Sequence, residues 1–521
     1  MSEVKIISET AEENELVIVL DFGGQYKELI ARAVRNLGVK SLILPGNTPL
    51  EKIKTLAPVG IILTGGPDSV YRKDAPRCDK SVFELGIPVL GICYGCQLLA
   101  YISGGVVAPG EHSEYGRTQT RVDPTSELFF GLEPEQIALM SHTDEVKTLP
   151  DGFRNTASTS ACRNAAFESA ERKLYAVQFH PEVENTPNGT AIMKNFLYRV
   201  CGATGDYTIS GYREAMIDAI RSQAPEGDVL LALSGGVDSS VCAALLGEAL
   251  PGRVHCVFVD HGLMRQDEGD EVEAVFSKRE VHFIRVNAQE RFYGKLAGVS
   301  DPEQKRKIIG EEFIRVFEEQ ARRLTGVRYL AQGTIYPDVV ESGGVNSAVI
   351  KSHHNVGGLP ADMEFDAVIE PLRGLFKDEV RALGRELGIP ESLVSRQPFP
   401  GPGLAVRIIG AITAEKVALL QKADAIFREE VAALPQNERP DQYFAVLTDT
   451  KSVGVTGDFR SHGYTVALRA VKTTDFMTAQ AHELPFALLT KSAERIVNTV
   501  PEVSRVVYDV TGKPPATVEW E

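Results

Sequence analysis

The chain has 521 residues, 43% hydrophobic, 24% charged and 7% aromatic, enough for about three or four domains and unlike collagen-like, low-complexity or wholly disordered proteins. Lys plus Arg number 55 against 71 Asp plus Glu, a formal charge of −16, which repels nucleic-acid backbones and anionic lipid, so neither nucleic acid nor membrane is an expected partner. No apolar run reaches the ~18 residues of a membrane span, and Glu3, Glu9, Glu12, Glu13 and Glu15 stand where a signal peptide is basic or apolar. A cytoplasmic chain with its seven dispersed cysteines reduced is the expectation.

Residues 1–15 read as an N-terminal tail. From Leu16, strand-like runs (LVIVLD, SLILP, GIILTGG, IPVLGIC) alternate with helical stretches (QYKELIARAVRNLG, QLLAYISGG), the rhythm of a doubly wound parallel sheet. Turn-rich segments follow to about Phe179, and residues 188–201 read as a closing helix. This first α/β domain spans 16–203. After the Gly/Thr/Ser-rich stretch 202–211 comes a second alternating series (DVLLAL, VDSSVCAALLGEAL, RVHCVFVD, EVHFIRV, VRYLAQG), a second doubly wound α/β domain over 204–397. At PFPGPGL (398–404) proline and glycine density rises. Beyond it QYFAVLTD, YTVALRAV and SRVVYDV surround helices such as AEKVALLQKADAIFREEVAAL, which reads as a small α+β domain over 398–521.

The segment GICYGCQ (91–97) places Cys93 between a strand and a helix with glycines on both sides, the thiol form of a nucleophile elbow. Small neighbours permit the strained turn, and the helix N-terminus favours a thiolate. Cys93 and Cys96 also form a C-x-x-C, but no second Cys pair or His-x-x-x-His completes a zinc site. In YAVQFHPEV, His180 and Glu182 lie two apart in an extended run and face the same side. Cys93, His180 and Glu182 then supply nucleophile, base and orienting carboxylate for attack on an amide carbonyl. The oxyanion would meet the backbone N–H groups of Tyr94 and Gly66. A buried cysteine beside a tight turn is the alternative reading of the elbow by itself.

DFGGQ (21–25), TGGPDSVY (64–71), GICYGCQ and QFHPEV resemble the class I glutamine amidotransferase family over 16–201. The resemblance implies release of ammonia from glutamine, assigns Cys93, His180 and Glu182 to its triad, and places Gln97 in the glutamine pocket. Cys96 stands where that family usually has Met.

SGGVDSS (234–240) follows the strand DVLLAL and opens a helix. It lacks the Gly-Lys-Ser/Thr ending of a Walker loop. Ser234, Gly235, Gly236, Val237, Asp238, Ser239 and Ser240 instead offer backbone N–H groups and hydroxyls at a helix N-terminus, a nest suited to pyrophosphate, with Asp238 a candidate Mg2+ ligand. A Ser/Gly turn that merely caps a helix is the bland alternative. The loop resembles that of the adenine nucleotide alpha hydrolase-like ATP pyrophosphatases (PP-loop enzymes), which bind ATP and transfer AMP to a substrate oxygen. An ammonia source and an ammonia-using activator thus share one polypeptide.

VDHGLMR (259–265), GTIYPDVVES (333–342), VIKSHHNVGGLP (349–360), EPLRGLFKDEVRALGRELGIP (370–390), PFPGPGLAVR (398–407) and GKPPATVEWE (512–521) resemble the glutamine-hydrolysing GMP synthetase family. That resemblance implies ATP, XMP and glutamine as substrates, Mg2+ with the ATP, and a C-terminal dimerisation domain that makes a homodimer. It implies XMP contacts from Arg265, Arg407, Lys513 and Glu519, and a lid carrying Lys351, His353, His354 and Asn355. The reaction implied is adenylation and amination of XMP to GMP, with AMP and pyrophosphate released. The alternative is another glutamine-dependent amidating ATP pyrophosphatase with a different acceptor. A non-catalytic nucleotide sensor would show a broken triad or loop, and here both are intact.

Overall fold

The computed structural model describes residues 5–7, 14–341, 365–456, 459–473 and 478–521. Contacts divide it into two compact units: one between residues 14 and 212, the other formed by the short strand β1 (Lys5–Ile7) and the chain from Arg213 onward.

The first unit contains β2 (Leu16–Asp21), β3 (Lys40–Pro45), β4 (Gly60–Leu63), β5 (Val89–Ile92), β6 (Val106–Val122), β7 (Glu135–Thr148), β8 (Arg154–Ser158), β9 (Ala166–Ser169) and β10 (Leu174–Val177). They form one sheet in the order β3-β2-β4-β5-β10-β9-β8-β6-β7. The run from β3 to β10 is parallel, and β4 and β5 are buried at every position, as strands covered on both faces must be. The segment read as turn-rich holds instead an antiparallel ladder of β6 to β9. Its longest strand, VVAPGEHSEYGRTQTRV, is mostly exposed and polar, so ladder hydrogen bonds rather than an apolar stripe define it. The closing helix is α-helical over Gly189–Lys194 and continues as a π-helix over Asn195–Val200.

In the second unit, β11 (Asp228–Ala232), β12 (Val254–Asp260), β13 (His282–Asn287), β14 (Val327–Ala331) and β15 (Ala367–Ile369) join β1 in a parallel sheet ordered β1-β15-β14-β11-β12-β13. Lys5–Ile7, inside the stretch read as a tail, pairs with Ala367–Ile369. The strand order reverses between β11 and β14, so a crevice opens beyond their carboxyl ends, where open α/β sheets bind ligands. The chain ends in a four-stranded sheet, with β16 (Gln442–Thr456), β17 (Phe459–Lys472) and β18 (Gln480–Ala481) in that order and β19 (Val503–Asp509) parallel to β17. One apolar cluster runs from Leu230 and Val257 through Leu404 and Ile408 to Phe427 and Val466. The boundary we propose at 397/398 therefore lies inside this unit.

His261, just beyond β12, is buried with its ring against Phe292, and its Nδ1 accepts the Leu263 N–H at 3.1 Å. Burial pushes its pKa down to about 4 against the attraction of Asp260 and Glu268. The folded state therefore holds a neutral ring, while the unfolded chain takes up a proton near pH 6.5. This stability is present above pH 6.5 and is lost as the pH falls toward 4. Between pH 7 and 5 the wild type is expected to lose about 2 kcal/mol more than His261→Gln, which still accepts the Leu263 N–H. Urea unfolding at both pH values checks it, and equal losses would refute the assignment.

Candidate active site

Cys93 follows β5 and caps the helix Tyr94–Ile102 with φ 54° and ψ −107°, a strained region that nucleophile elbows use. Its flanking glycines have steric reasons. A Cβ at Gly91 would meet the Gly95 carbonyl oxygen at 2.5 Å, and one at Gly95 would meet that of Leu63 at 2.5 Å. The Cys93 N–H donates to Val177 at the end of β10 (2.9 Å), so the β5–β10 pairing brings the elbow beside the QFHPEV segment.

There, His180 Nδ1 lies 2.7 Å from Glu182 Oε1, and both side chains are buried. Burial by itself disfavours a charged ring. The Glu182 charge and the hydrogen bonds with Cys93 and Glu182 outweigh it and hold His180 well above the ordinary imidazole value. Tyr26 packs edge-on against the ring at 5.2 Å. A Cβ at Gly65 would sit 3.5 Å from His180 Cε1 and 3.7 Å from Cys93 Cβ, so this glycine faces both groups. The structure thus brings Cys93, His180 and Glu182 together at one place.

Gly66 lies against Tyr94, with a built Cβ 3.1 Å from Tyr94 Cγ. The two glycine loops touch backbone to backbone: a Cβ at Gly24 would be 2.4 Å from the Gly65 carbonyl oxygen. Gln97 is buried, and its Nε2 donates to the Asp144 carbonyl (2.8 Å) and to Gln178 Oε1 (3.2 Å). Cys93 Sγ is 3.8 Å from the Ser141 carbonyl oxygen, and the His180 N–H donates to Leu139. Strand β7 therefore lines the centre with main-chain carbonyls, a contribution no side-chain motif reveals. Gln178 opens the QFHPEV motif and Tyr26 directly follows DFGGQ, but neither motif marks these two as lining the centre.

In the second unit SGGVDSS follows β11, and Gly236 caps the helix Val237–Ala249. Gly235 has φ +78°, which only glycine adopts freely. Ser234 and Ser239 fasten the loop: the Ser234 N–H donates to Ser239 Oγ (3.2 Å), the two hydroxyls are 3.0 Å apart, and the Gly236 N–H donates to Ser234 Oγ (3.3 Å). Ser240 is fully buried at the first helical turn. Gly333, beyond β14, approaches the Asp238 and Ser239 backbone, which places both sides of the switch point together. Two residues missed from the sequence complete the loop. Lys377 Nζ bonds both Asp238 carboxylate oxygens at 2.7 and 2.6 Å. Arg396 donates to the Gly235 carbonyl (3.1 Å) and pairs with Glu268 and Glu271. Lys377 stands in the quoted LFKDEVR segment, but nothing local marks its target.

Arg265 and Arg407 are almost completely buried, and Phe399 lies under both, 4.3 and 5.1 Å from ring centroid to guanidinium carbon. Burial lowers the Arg265 pKa to about 10, against the attraction of Glu268 and Asp424. Arg407 also stacks on Phe444 (3.9 Å) and is held by Glu519 at both oxygens (2.8 and 2.7 Å). Arg265 Nε and Nη1 and Arg407 Nη1 are buried with no hydrogen-bond partner among the described residues, donors that an anionic or carbonyl-rich ligand would satisfy. Lys513 exchanges backbone hydrogen bonds with Ala479. Fully buried Lys305 pairs with Glu521, so the terminal residues are anchored. Lys351, His353, His354 and Asn355 lie outside the described residues.

Three family models match separate stretches of the chain. Residues 18–200 match the glutamine amidotransferase class-I family, 211–401 the NAD synthase family and 429–520 the GMP synthase C-terminal domain. Curated proteins called GMP synthase [glutamine-hydrolyzing] align nearly end to end. That of Clostridium botulinum (strain Alaska E43 / Type E3) is 57% identical over 97% of this chain and 99% of its own. Those of Acetivibrio thermocellus and Finegoldia magna are 57% and 56% identical, over 98% of this chain and 100% of theirs. The chain belongs to the family of glutamine-hydrolysing GMP synthases.

Proposed function

We propose that this chain converts XMP to GMP in guanine nucleotide biosynthesis, using glutamine as nitrogen source and ATP as activator. The observation that carries this reading is an intact Cys93–His180–Glu182 centre and PP-loop within a chain 57% identical to its relatives over 97% of its length.

In the first unit the Cys93 sulfur attacks the glutamine side-chain carbonyl, and His180 takes the thiol proton and returns it to the departing ammonia. Water then cleaves the thioester to glutamate. Glu182 orients the ring and stabilises its charge. The N–H groups of Tyr94 and Gly66 receive the oxyanion. Gln97 spends both its N–H bonds on Asp144 and Gln178, so it shapes the glutamine pocket and offers the substrate only its carbonyl side.

In the second unit Ser234, Gly235, Gly236, Val237, Asp238, Ser239 and Ser240 hold the ATP β,γ-pyrophosphate while the XMP C2 oxygen attacks the α-phosphorus and pyrophosphate leaves. Ammonia then displaces AMP from C2. Asp238 and the neighbouring hydroxyls are hard oxygen donors of the kind Mg2+ takes, and Lys377 already holds a positive charge at that carboxylate. When bound, Mg2+ supplies charge neutralisation to the leaving pyrophosphate. Arg265, Arg407, Lys513 and Glu519 bind XMP, with Phe399 and Phe444 fixing the guanidinium planes. The protein acts in the cytoplasm as a homodimer joined through the C-terminal domain, with domains at 16–203, 204–397 and 398–521.

The NAD synthase match over 211–401 favours one second reading, amidation of a carboxylate acceptor such as deamido-NAD or aspartate. The deciding assay supplies ATP, Mg2+ and ammonium with each acceptor. GMP, AMP and pyrophosphate are expected with XMP; product from a carboxylate acceptor and none from XMP would replace the proposal.

A further inference from the structure

Three buried side chains of the first unit take no part in the chemistry above. Glu114 comes from β6, His142 from β7 and Cys162 from the turn between β8 and β9, and one ligand atom of each lies within 4.8 Å of the other two. We propose that Glu114, His142 and Cys162 form a zinc site, separate from the catalytic cysteine.

The donors are already oriented. His142 Nδ1 is 3.0 Å from the Asp144 carbonyl oxygen, while Nε2 faces Glu114 Oε2 at 3.2 Å. A backbone acceptor on one ring nitrogen with the other turned to the cluster is how metal-bound histidines are usually fixed. Thr159 ties the other two ligands together: its hydroxyl donates to Glu114 Oε1 (2.7 Å) and accepts the Cys162 N–H (2.8 Å). Buried Glu145, paired with Lys147, lies beside Cys162, outside the three-ligand cluster, which leaves the fourth tetrahedral position to water.

The chemistry of the set selects the ion. Sulfur, imidazole nitrogen and carboxylate oxygen together suit tetrahedral Zn2+ and not the all-oxygen sites of Mg2+ or Ca2+. Burial pushes the Cys162 thiol up to about 12, and the Glu145 and Glu114 charges add to that. A divalent cation at this place would reverse both influences, because a coordinated thiol loses its proton. The ligands are scattered through the sequence, so no Cys/His spacing announces them. They adjoin the glutaminase centre: the Asp144 carbonyl that holds His142 also accepts from Gln97, and the preceding Ser141 carbonyl faces Cys93.

Co2+ titration of the full chain, freed of metal by chelation, tests the proposal. The expected result is one equivalent bound with a thiolate-to-cobalt charge-transfer band, displaced by Zn2+. The band should persist in Cys93→Ser and vanish in Cys162→Ser. Glu114→Gln, which keeps the shape of the side chain, should retain the band and weaken cobalt binding about tenfold or more, given one lost carboxylate ligand. Ammonia-dependent GMP formation by Cys162→Ser, equal to wild type, shows that the second unit is folded, and near-ultraviolet circular dichroism of Glu114→Gln checks the first. No band in the wild type, a band surviving in Cys162→Ser, or one lost in Cys93→Ser would each overturn the assignment, the last by placing the metal on the catalytic thiol.

Discussion

Cys93→Ala is expected to lose glutamine-dependent GMP formation by about 10^4-fold or more, equivalent to about 5 kcal/mol of transition-state stabilisation, while ammonium-dependent formation stays at wild-type level. The asymmetry follows from the division of labour. In the proposed mechanism the thioester forms only on Cys93 Sγ, whereas ammonium enters the second reaction directly. Lost stability cannot imitate this result. Removing one buried sulfur costs about 1 kcal/mol, and alanine inherits the same strained φ of 54°. End-point assays with each nitrogen source, scoring GMP and AMP, provide the measurement. Equal loss with both sources would place Cys93 outside a dedicated glutaminase, and unchanged glutamine use would dismiss it as nucleophile.

Asp238→Asn is expected to lower GMP formation about 10^2- to 10^3-fold with either nitrogen source, the scale on which removal of one preorganised electrostatic contact is felt. Glutamine hydrolysis is chemistry of the first unit, so Cys93 should remain open to a glutamine-mimicking electrophile. The Lys377–Asp238 pair is partly exposed, and such pairs contribute about 1 kcal/mol or less to folding. Destabilisation is therefore too small to explain the loss. The double variant Asp238→Asn with Lys377→Met separates two roles. If Asp238 only neutralises Lys377, removing both should restore turnover; if Asp238 itself organises the pyrophosphate and its cation, the double variant should stay inactive.

The legible parts of this protein are those whose function is local. The elbow needs small residues around Cys93 because the backbone of Gly95 packs on Leu63 and Gly91 packs on Gly95, and those glycines stand beside the cysteine in the chain. The PP-loop is equally local, since Ser234 and Ser239 brace a turn of a few residues at one helix N-terminus. The contact between His180 and Glu182 is local too, since the two stand two residues apart in one extended run. The ladder β6–β9 was not legible. Its longest strand, β6, is polar and mostly exposed, and its stabilising contacts join residues far apart in sequence. The short strand Lys5–Ile7 has no sequence signature because three residues carry no periodicity, and its partner Ala367–Ile369 lies at the other end of the sheet's sequence.

Local sequence encodes the strand–helix rhythm, the two glycine-rich chemical loops and the pairing of an ammonia source with an ATP-using activator. These depend on steric and hydrogen-bonding demands met within about ten residues of chain, which residue identity encodes directly. Tertiary structure alone decided that β10 lies beside β5, bringing His180 to Cys93, and that β7 supplies the carbonyls around them. It alone set Lys377 on Asp238, stacked Arg265 and Arg407 over Phe399, and gathered Glu114, His142 and Cys162. Strand order and long-range packing minimise the free energy of the whole chain, so the partners they select leave no mark at either position in the sequence.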